Sequence, residues 1–333
     1  MSLAESLAAT ILVSLTAYAL LGGADFGGGV WDLVASGPRK EQQRRLVVQA
    51  IAPVWEANHV WLILAIVLLF TCFPAAFARL AIALHVPLTL MLIGIVLRGS
   101  TFMFQSYGGG GRRVFAYASL LTPVLLGVSV GAIASGATNV PAGGTFVDGY
   151  VRPWLTPFAL AIGLFALACF AFLAAVYLTV EARDGQLQED FRRRALLAGI
   201  IVAANAAVGL LLSPQAPMVE RGLLATQWAA LLHLLTGVAA LLAFGALWRR
   251  RYRVARVAAA AQVALILWGW GLSQYPYLLP PDLTIADAAA PRVTLELALI
   301  ALIAGAIVLF PSLFYLFRVF KGRIGRAGPS GQG

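Results

Sequence analysis

The sequence predicts an all-α integral membrane protein with nine transmembrane helices. Of its 333 residues, 61% are hydrophobic and only 11% are charged, whereas soluble proteins are near 25% charged. Apolar runs of about 20 residues, the length that crosses a hydrocarbon core, recur along the chain. Basic residues are concentrated in alternate loops. Because the loops are too short to form a core of their own, we expect residues 1–333 to be one polytopic membrane domain.

Each apolar run is interpreted as one span. The nine spans are approximately residues 5–35, 47–71, 77–104, 114–136, 154–181, 195–213, 223–248, 254–273 and 293–318. The first span is not expected to be a cleaved signal peptide, because it carries Glu5 in place of a basic segment and its apolar stretch is too long.

The distribution of basic residues predicts the orientation of the spans. Nineteen of the 24 Arg and Lys residues follow odd-numbered spans. These are Arg39, Lys40, Arg44, Arg45, Arg112, Arg113, Arg183, Arg192, Arg193, Arg194, Arg249, Arg250, Arg251, Arg253, Arg256, Arg318, Lys321, Arg323 and Arg326. By the positive-inside rule these connections are cytoplasmic, so the N-terminus is outside and the C-terminus inside. Topology and anionic lipid account for the high pI, and no nucleic-acid partner is predicted.

Charged residues inside the first three spans are the main functional signal. Asp25, Glu56 and Arg98 lie in otherwise apolar stretches, where an ionisable group costs at least about 2.5–3.5 kcal/mol. At about 1.5 Å per residue, Asp25 lies about 16 Å, Glu56 about 14 Å and Arg98 about 10 Å from the cytoplasmic surface. Three helices therefore bring polar groups to the same half of the bilayer.

This convergence is compatible with a proton path. Asp32 is the expected mouth, Glu56 and Asp25 are the expected carriers, and His59 is a further relay one turn beyond Glu56. Desolvated carboxylates can exchange protons near neutral pH. Arg98 would hold one of them ionised and tune its proton affinity.

Three alternatives stay open. Asp25, Glu56 and Arg98 could form a buried structural network with no transport, a possibility given equal weight. Asp32, close to the interface, could simply be solvated. A secondary transporter would also use intramembrane charges, and the glycine-rich stretch 22–29 could break a helix, but we find no convincing internal repeat.

Metal and haem sites are not predicted on this chain. Cys72 and Cys169 lie on different spans without a CxxC motif. His85 and His233 are isolated on apolar helices, where hydrogen-bonded packing is the expected role. The glycines between residues 22 and 29 do not form a dinucleotide loop, because no strand precedes them; small residues there allow helices to pack closely around Asp25.

One string in the second span carries a family resemblance. Residues 51–63 read Ile-Ala-Pro-Val-Trp-Glu-Ala-Asn-His-Val-Trp-Leu-Ile. This string resembles the second-helix signature of subunit II of cytochrome bd-type quinol oxidases. The acid is Glu56, and Trp55, Asn58 and Trp61 are the supporting positions of the motif.

Three further segments, in the family's order, resemble the same subunit. Residues 23–27 look like its glycine-flanked aspartate, residues 97–104 like its helix-3 arginine segment, and residues 275–284 like its proline-rich outer loop. The compact length is similar to that of the cyanide-insensitive branch. The resemblance covers the whole chain.

The resemblance implies a fold and a set of partners. Subunit II has two four-helix bundles plus a peripheral helix and pairs with a homologous subunit I, which carries haems b and d and oxidises quinol. Subunit II carries no haem; it supports a complex that reduces O2 to water in the bacterial cytoplasmic membrane. Small single-helix subunits and a bound quinone accompany it in some members, and no residue is assigned to the quinone here.

The resemblance also implies roles for individual residues. The family's acids for proton uptake from the cytoplasm fall on Asp25 and Glu56. Two positions depart from the family. Residues 102–105 read Phe-Met-Phe-Gln where the family often has an acid, and Glu56 stands where many relatives have Asp. His59 occupies a position that varies among relatives. No catalytic residue is predicted on this chain itself.

Overall fold

The computed structural model describes residues 1–106, 111–139 and 145–324, without the side chains of residues 52–57, 102–106, 310, 313–314 and 316–324. The described chain is mostly helical, as predicted. Its helices are α1 (Leu3–Leu33), α2 (Lys40–Cys72), α3 (Pro74–Ala83), α4 (His85–Ser106), α5 (Arg112–Ala134), α6 (Phe146–Tyr150), α7 (Pro157–Glu181), α8 (Gly185–Leu211), α9 (Pro217–Leu224), α10 (Gln227–Trp248), α11 (Tyr252–Gln274) and α12 (Arg292–Ile324). A 3₁₀ turn, Ser213–Gln215, precedes α9.

The long helices pack in two groups that meet along α1, α5 and α7. In the first group α1 contacts α2 and α5, and α4 contacts α5; in the second α7 contacts α8 and α11, and α10 contacts α8 and α11. Helices α1 and α5 both pack against α7, which joins the groups. The main contacts of α12 are with α1 and α2. This arrangement places α1 at the centre of the molecule.

Glycine in α1 permits the close contact with α7. A Cβ added at Gly27 would overlap the backbone carbonyl of Phe170. The indole Nε1 of Trp31, one turn further, donates to the Ala171 carbonyl at 2.8 Å. Close backbone approach through small residues is a common way for membrane helices to associate, because lipid offers no hydrophobic drive between them. The glycine-rich stretch is therefore a packing surface within an unbroken helix.

The predicted third span is not one continuous helix. Residues 77–104 are divided at Leu84 between α3 and α4, and α3 turns 117° away from the segment Asn58–Cys72. Proline accounts for both boundaries. Pro74 begins α3, and Pro87 lies in the first turn of α4, where a missing backbone N–H leaves no hydrogen bond unmade.

Two short strands form a cap before the last helix. β1 (Tyr277–Leu279) pairs antiparallel with β2 (Leu283–Thr284). The cap is tied to the helices by the Ala290 amide donating to the Cys72 carbonyl at 2.8 Å, and by Arg79 with Asp282 at 2.8 Å. The Tyr275 hydroxyl donates to Glu5 at 2.7 Å, and this contact raises the pKa of Tyr275.

The described helices have the composition of membrane spans. Seven of them are long and apolar enough to cross a bilayer, and eight qualify if Asn58–Cys72 and α3 count as one bent span. The described residues His85–Thr101 form a shorter apolar helix. The chain is thus a multi-pass, all-α membrane protein, while nine spans and their orientation stay predictions.

Candidate functional site: a buried charged centre

Asp25 of α1 and Arg98 of α4 form a buried ion pair. The Arg98 Nη1 donates to Asp25 Oδ2 at 2.8 Å, and Nη2 donates to both Oδ1 and the Asp25 backbone carbonyl. The side chains are 0% and 1% exposed. A bidentate guanidinium–carboxylate contact is the strong geometry for such a pair, and its second hydrogen bond fixes the orientation as well as the distance.

Helix α5 and two aromatic rings complete the environment of Arg98. Its Nε donates to the Ser119 hydroxyl at 2.9 Å. The guanidinium carbon lies 4.7 Å from the ring centre of Phe26 and 4.9 Å from that of Phe115. Hydrogen bonds and ring faces together replace the water that Arg98 loses on burial. Ser119 and Phe115 were not predicted, since only the fold brings α5 beside α4.

Asp25 and Arg98 are in direct contact, so their helices do bring charges together. The predicted backbone depths of the two residues differ by about 6 Å. A long arginine side chain can extend along its helix by several ångströms, so the contact is compatible with that difference, and the depths stay predictions.

The polar side chains of α1 lie on one helix face. Tyr18, Asp25 and Asp32 are spaced by seven residues, or nearly two turns. Tyr18 is 1% exposed, and its hydroxyl has no hydrogen-bond partner among the described residues. This residue was missed at the sequence level, although the seven-residue spacing was visible there.

The second-helix motif is described only in part. The side chains of Trp55 and of Glu56, the predicted carrier, lie outside the described residues. Asn58 is fully buried beside Gly22, and neither its amide nitrogen nor its oxygen has a partner in the described part of the chain. His59 is half-buried, with its ring centre 6.3 Å from that of Tyr18.

Trp61 packs beside the same centre. It contacts the apolar cluster of Tyr18, Phe26 and Phe170. Trp61, the second tryptophan of the motif, therefore packs against a cluster built from α1 and α7 and has a packing role in this structure.

Asp32 is buried rather than solvated. Its side chain is 7% exposed, and the nearest cation is the Arg44 Nε at 3.8 Å, which is too long for a hydrogen bond. Its Oδ2 has no partner in the described residues. The alternative of a simply solvated acid does not fit this burial, in which Arg44 of α2 lies beside Asp32 at the end of α1. The role of Asp32 as the mouth of a path stays a prediction. Asp32 retains free capacity to accept a proton or a water.

A polar network adjoins Asp32 and links the two helix groups. Arg39 makes a bidentate contact with Asp190 of α8, at 2.6 and 2.8 Å, and these hydrogen bonds raise the pKa of Arg39. Gln43 donates to Asp190 at 2.9 Å and accepts from Arg194 at 2.8 Å. Arg194 also lies over the ring of Trp31, at 5.5 Å.

No three His, Cys, Asp or Glu side chains within the described ranges are close enough together to hold a metal ion. His85 and His233 are both exposed on helix surfaces. A ring nitrogen of His233 lies 2.7 Å from the Ala229 carbonyl of its own helix. The absence of haem on this chain stays a prediction.

Comparison of the sequence with known protein families assigns this chain to a family. The family model described as cytochrome bd terminal oxidase subunit II matches residues 3–320. The chain belongs to this family. Membership in the subunit II family implies a subunit I partner, and it disfavours the interpretation as a secondary transporter. The family suggested by the strings at residues 23–27, 51–63, 97–104 and 275–284 is confirmed.

Two individual relatives match 91% and 57% of this subunit II. It is 23% identical over 317 residues to the putative cytochrome bd menaquinol oxidase subunit II of Bacillus subtilis, covering 91% of each chain. It is 28% identical over 203 residues to the cytochrome bd-I ubiquinol oxidase subunit 2 of Escherichia coli, which covers 57% of this chain and 51% of the relative.

A solved structure has the same fold. The bd oxidase from Geobacillus thermodenitrificans matches 96% of this subunit II and 99% of its own chain, with a TM-score of 0.81 and 24% identity. At this identity the match shows the fold alone. It agrees with the packing of the long helices around α1 described above.

Proposed function

We propose that this chain is the haem-free subunit II of a bd-type quinol:O2 oxidoreductase in the bacterial cytoplasmic membrane. It would stabilise the haem-bearing subunit I and conduct protons from the cytoplasm to the site of oxygen reduction. The match of the family model to residues 3–320 carries the first part of the proposal. Relatives named as menaquinol and ubiquinol oxidases support quinol as the electron donor.

The haems b and d of subunit I would supply electron transfer from quinol to O2 in the complex. Reduction of one O2 to two waters takes four electrons and four protons. Taking those protons from the cytoplasm, with release of quinol protons outside, contributes to the proton-motive force. Small single-helix subunits and a bound quinone belong to the proposed complex only by family resemblance.

In the proposed orientation, the C-terminal end of α1 lies at the cytoplasmic surface. Nine spans, an outside N-terminus and an inside C-terminus place Asp32 and the network of Arg39 and Asp190 near that surface. The chain would be one polytopic domain over residues 1–333. This orientation is supported by the alternating basic loops.

The proposed path uses the acids of the first two helices. Asp32, whose Oδ2 has no partner among the described residues, is the mouth, and Glu56 and Asp25 are the carriers, with His59 as a further relay. Arg98 is the tuning charge, because two of its nitrogens hold both carboxylate oxygens of Asp25. Asp25 accepts a proton only when the pair opens, so Arg98 would control when transfer occurs.

The structural alternative is a scaffold without proton transfer, and the geometry of Asp25 favours it at that residue. Both carboxylate oxygens are already bonded to Arg98. A fully bonded buried pair can specify helix packing alone. In that case α1 and α4 are joined by a permanent contact, and the path would have to pass through other residues.

Glu56→Gln and Asp25→Asn distinguish these functions. Each variant is purified with its partner, and assembly is checked by subunit ratio and by a reduced-minus-oxidised absorption spectrum showing b- and d-type haem bands. Quinol-driven O2 consumption is then measured. A conduit predicts turnover at least about tenfold slower in Glu56→Gln, because a carrier of protons is lost.

Glu181→Gln is the matched control. Glu181 is a half-exposed acid at the end of α7 on the predicted cytoplasmic side, so its loss should leave turnover unchanged. Normal turnover in an assembled Glu56→Gln complex would refute the proton role and leave the scaffold. A chain that purifies alone and without haem, from cells expressing its partner, would refute the complex itself.

A further inference from the structure

A polar cavity lies where three turns meet on the predicted cytoplasmic side. It has a volume of about 450 Å³ and is lined by Arg39 before α2, by Glu189 and Arg193 of α8, and by Arg250 between α10 and α11. Gln186, Asp190 and Tyr252 also contribute to its walls. None of these residues takes part in the proposed proton path.

The cavity carries more positive than negative charge. One carboxylate, Glu189, is contacted by Arg192 at 2.7 Å, by Arg193 at 3.1 Å and by Arg250 at 3.5 Å. Asp190 is neutralised by Arg39. Three of the residues that line the cavity are arginines (Arg39, Arg193 and Arg250) and two are acids, an excess of one positive charge. The side chains of Arg193 and Arg250 are 75% and 68% exposed. Both retain N–H groups for an anion.

The backbone at Arg250 has a conformation that favours glycine. Its φ is 56°, in the left-handed region. The turn ends α10 with the Arg250 amide donating to Leu247 and the Arg251 amide donating to Ala246, the pattern in which glycine is usual at the residue after the helix cap. Arginine is unfavourable for the backbone at this position. We therefore take its side chain, which lies 3.5 Å from Glu189, as the reason for an arginine here.

Below the cavity, the helix faces become apolar and exposed. Arg193, Leu197 and Ile200 share one face of α8, and the last two are exposed. Trp248, Phe244 and Leu241 share a face of α10, a helix that contacts α8, and all three are exposed. An exposed tryptophan at a helix end is typical of the membrane interface.

We propose that this cavity binds the phosphate headgroup of an anionic phospholipid of the cytoplasmic leaflet. Arg193 and Arg250 would donate to the phosphate, and Arg39 also lines the cavity. The acyl chains would lie along the exposed faces of α8 and α10. The excess positive charge fits an anionic headgroup, and the continuity with an apolar surface favours a lipid over a free anion. The proposal rests on the predicted orientation but not on the proton role.

Lipid binding to the purified two-subunit complex tests the proposal. The complex is delipidated in mild detergent and titrated with dioctanoyl phosphatidylglycerol, dioctanoyl phosphatidylcholine or inorganic phosphate, and adducts are counted by native mass spectrometry. Arg193→Gln with Arg250→Gly should weaken phosphatidylglycerol binding about thirtyfold, since two phosphate-binding cations are removed. The haem spectrum of each variant checks that the complex is intact.

Arg249→Gln with Arg253→Gln is the charge-matched control. Both residues are exposed near the same turn and do not line the cavity, so binding should change by less than about threefold. Equal weakening in the control, equal binding of phosphatidylcholine, or full competition by inorganic phosphate would each overturn the proposal.

Arg250→Gly alone covers the case in which the double variant does not assemble. Glycine suits the backbone at this position, so the complex should form at least as well as the native one. Phosphatidylglycerol binding should still fall about fivefold, because one of the two phosphate-binding cations is lost. Unchanged binding in this variant would also overturn the proposal.

Discussion

Arg98 is a cation inside a membrane helix whose donors are nearly all used. It bonds Asp25 three times, bonds Ser119 once and lies near two aromatic rings. Desolvation of both charges opposes this pair, and the attraction offsets it only when the remaining donors are also bonded. The saturation of Arg98 therefore explains how the pair persists in an apolar surrounding.

Arg98→Gln should destabilise the fold by about 3–5 kcal/mol, because Asp25 is left as an uncompensated buried charge. The measurement is the thermal unfolding midpoint of the assembled complex. Arg256→Gln is the control, since Arg256 forms a partly exposed pair with Glu181 at 3.5 Å and its loss should cost less than about 1 kcal/mol. Asp25→Asn added to Arg98→Gln should recover part of the loss. Additive effects of the two changes would contradict a direct pair.

Gly27→Ala should destabilise by about 3 kcal/mol, because the new methyl group would overlap backbone atoms of Phe170, which cannot move without shifting α7. Gly237→Ala in α10 is the control: apart from its own helix, no atom of the described residues lies within 4 Å of the added Cβ, so helix propensity should make it neutral or stabilising. Thermal unfolding of both variants checks this. A Gly27→Ala complex as stable as the Gly237→Ala complex would refute the close packing of α1 on α7.

At the scale of elements, Gln43 joins the two helix groups. It is 4% exposed and bonds both Asp190 and Arg194 of α8. Its amide is neutral, so it can donate to the acid and accept from the base at the same time. The link between α2 and α8 depends on this dual capacity, which no charged residue at the same position would have.

Gln43→Leu should therefore cost about 1–3 kcal/mol, because the part-buried Asp190 and Arg194 each lose a hydrogen-bond partner. Gln186→Leu is the matched control: Gln186 is exposed, and its side chain accepts one hydrogen bond from Arg39, at 3.1 Å. Comparison of the two unfolding midpoints is the measurement. Equal midpoints would mean that the network does not support the contact between the helix groups.

Element prediction succeeded where composition dominates and failed where turns and tertiary contacts dominate. Long apolar runs predicted the long helices but did not predict the split at Leu84, although Pro87, in the first turn of α4, was visible in the sequence. The burial of Asp32, in contrast, depends on α2 returning over α1. Tyr18 was predictable from spacing, whereas Ser119 was not, because its contact with Arg98 spans helices α4 and α5.

At the scale of the whole molecule, the orientation can be tested with introduced cysteines. The two native cysteines, Cys72 and Cys169, are buried, so they should not react with a membrane-impermeant maleimide. Ala286→Cys, in the exposed cap, should be labelled in intact spheroplasts. Arg183→Cys, in the exposed turn before α8, should be labelled only after the membrane is permeabilised. The reverse pattern would invert the predicted topology.

The contact between Asp25 and Arg98 has a consequence for biosynthesis. The two residues are separated by 73 positions in the chain, so α1 leaves the ribosome well before its countercharge is made. During that interval α1 carries an unpaired carboxylate that opposes release into lipid by about 2.5–3.5 kcal/mol. Helix α1 is then expected to wait beside the insertion machinery until α4 arrives, and the first four helices would enter the bilayer as a group.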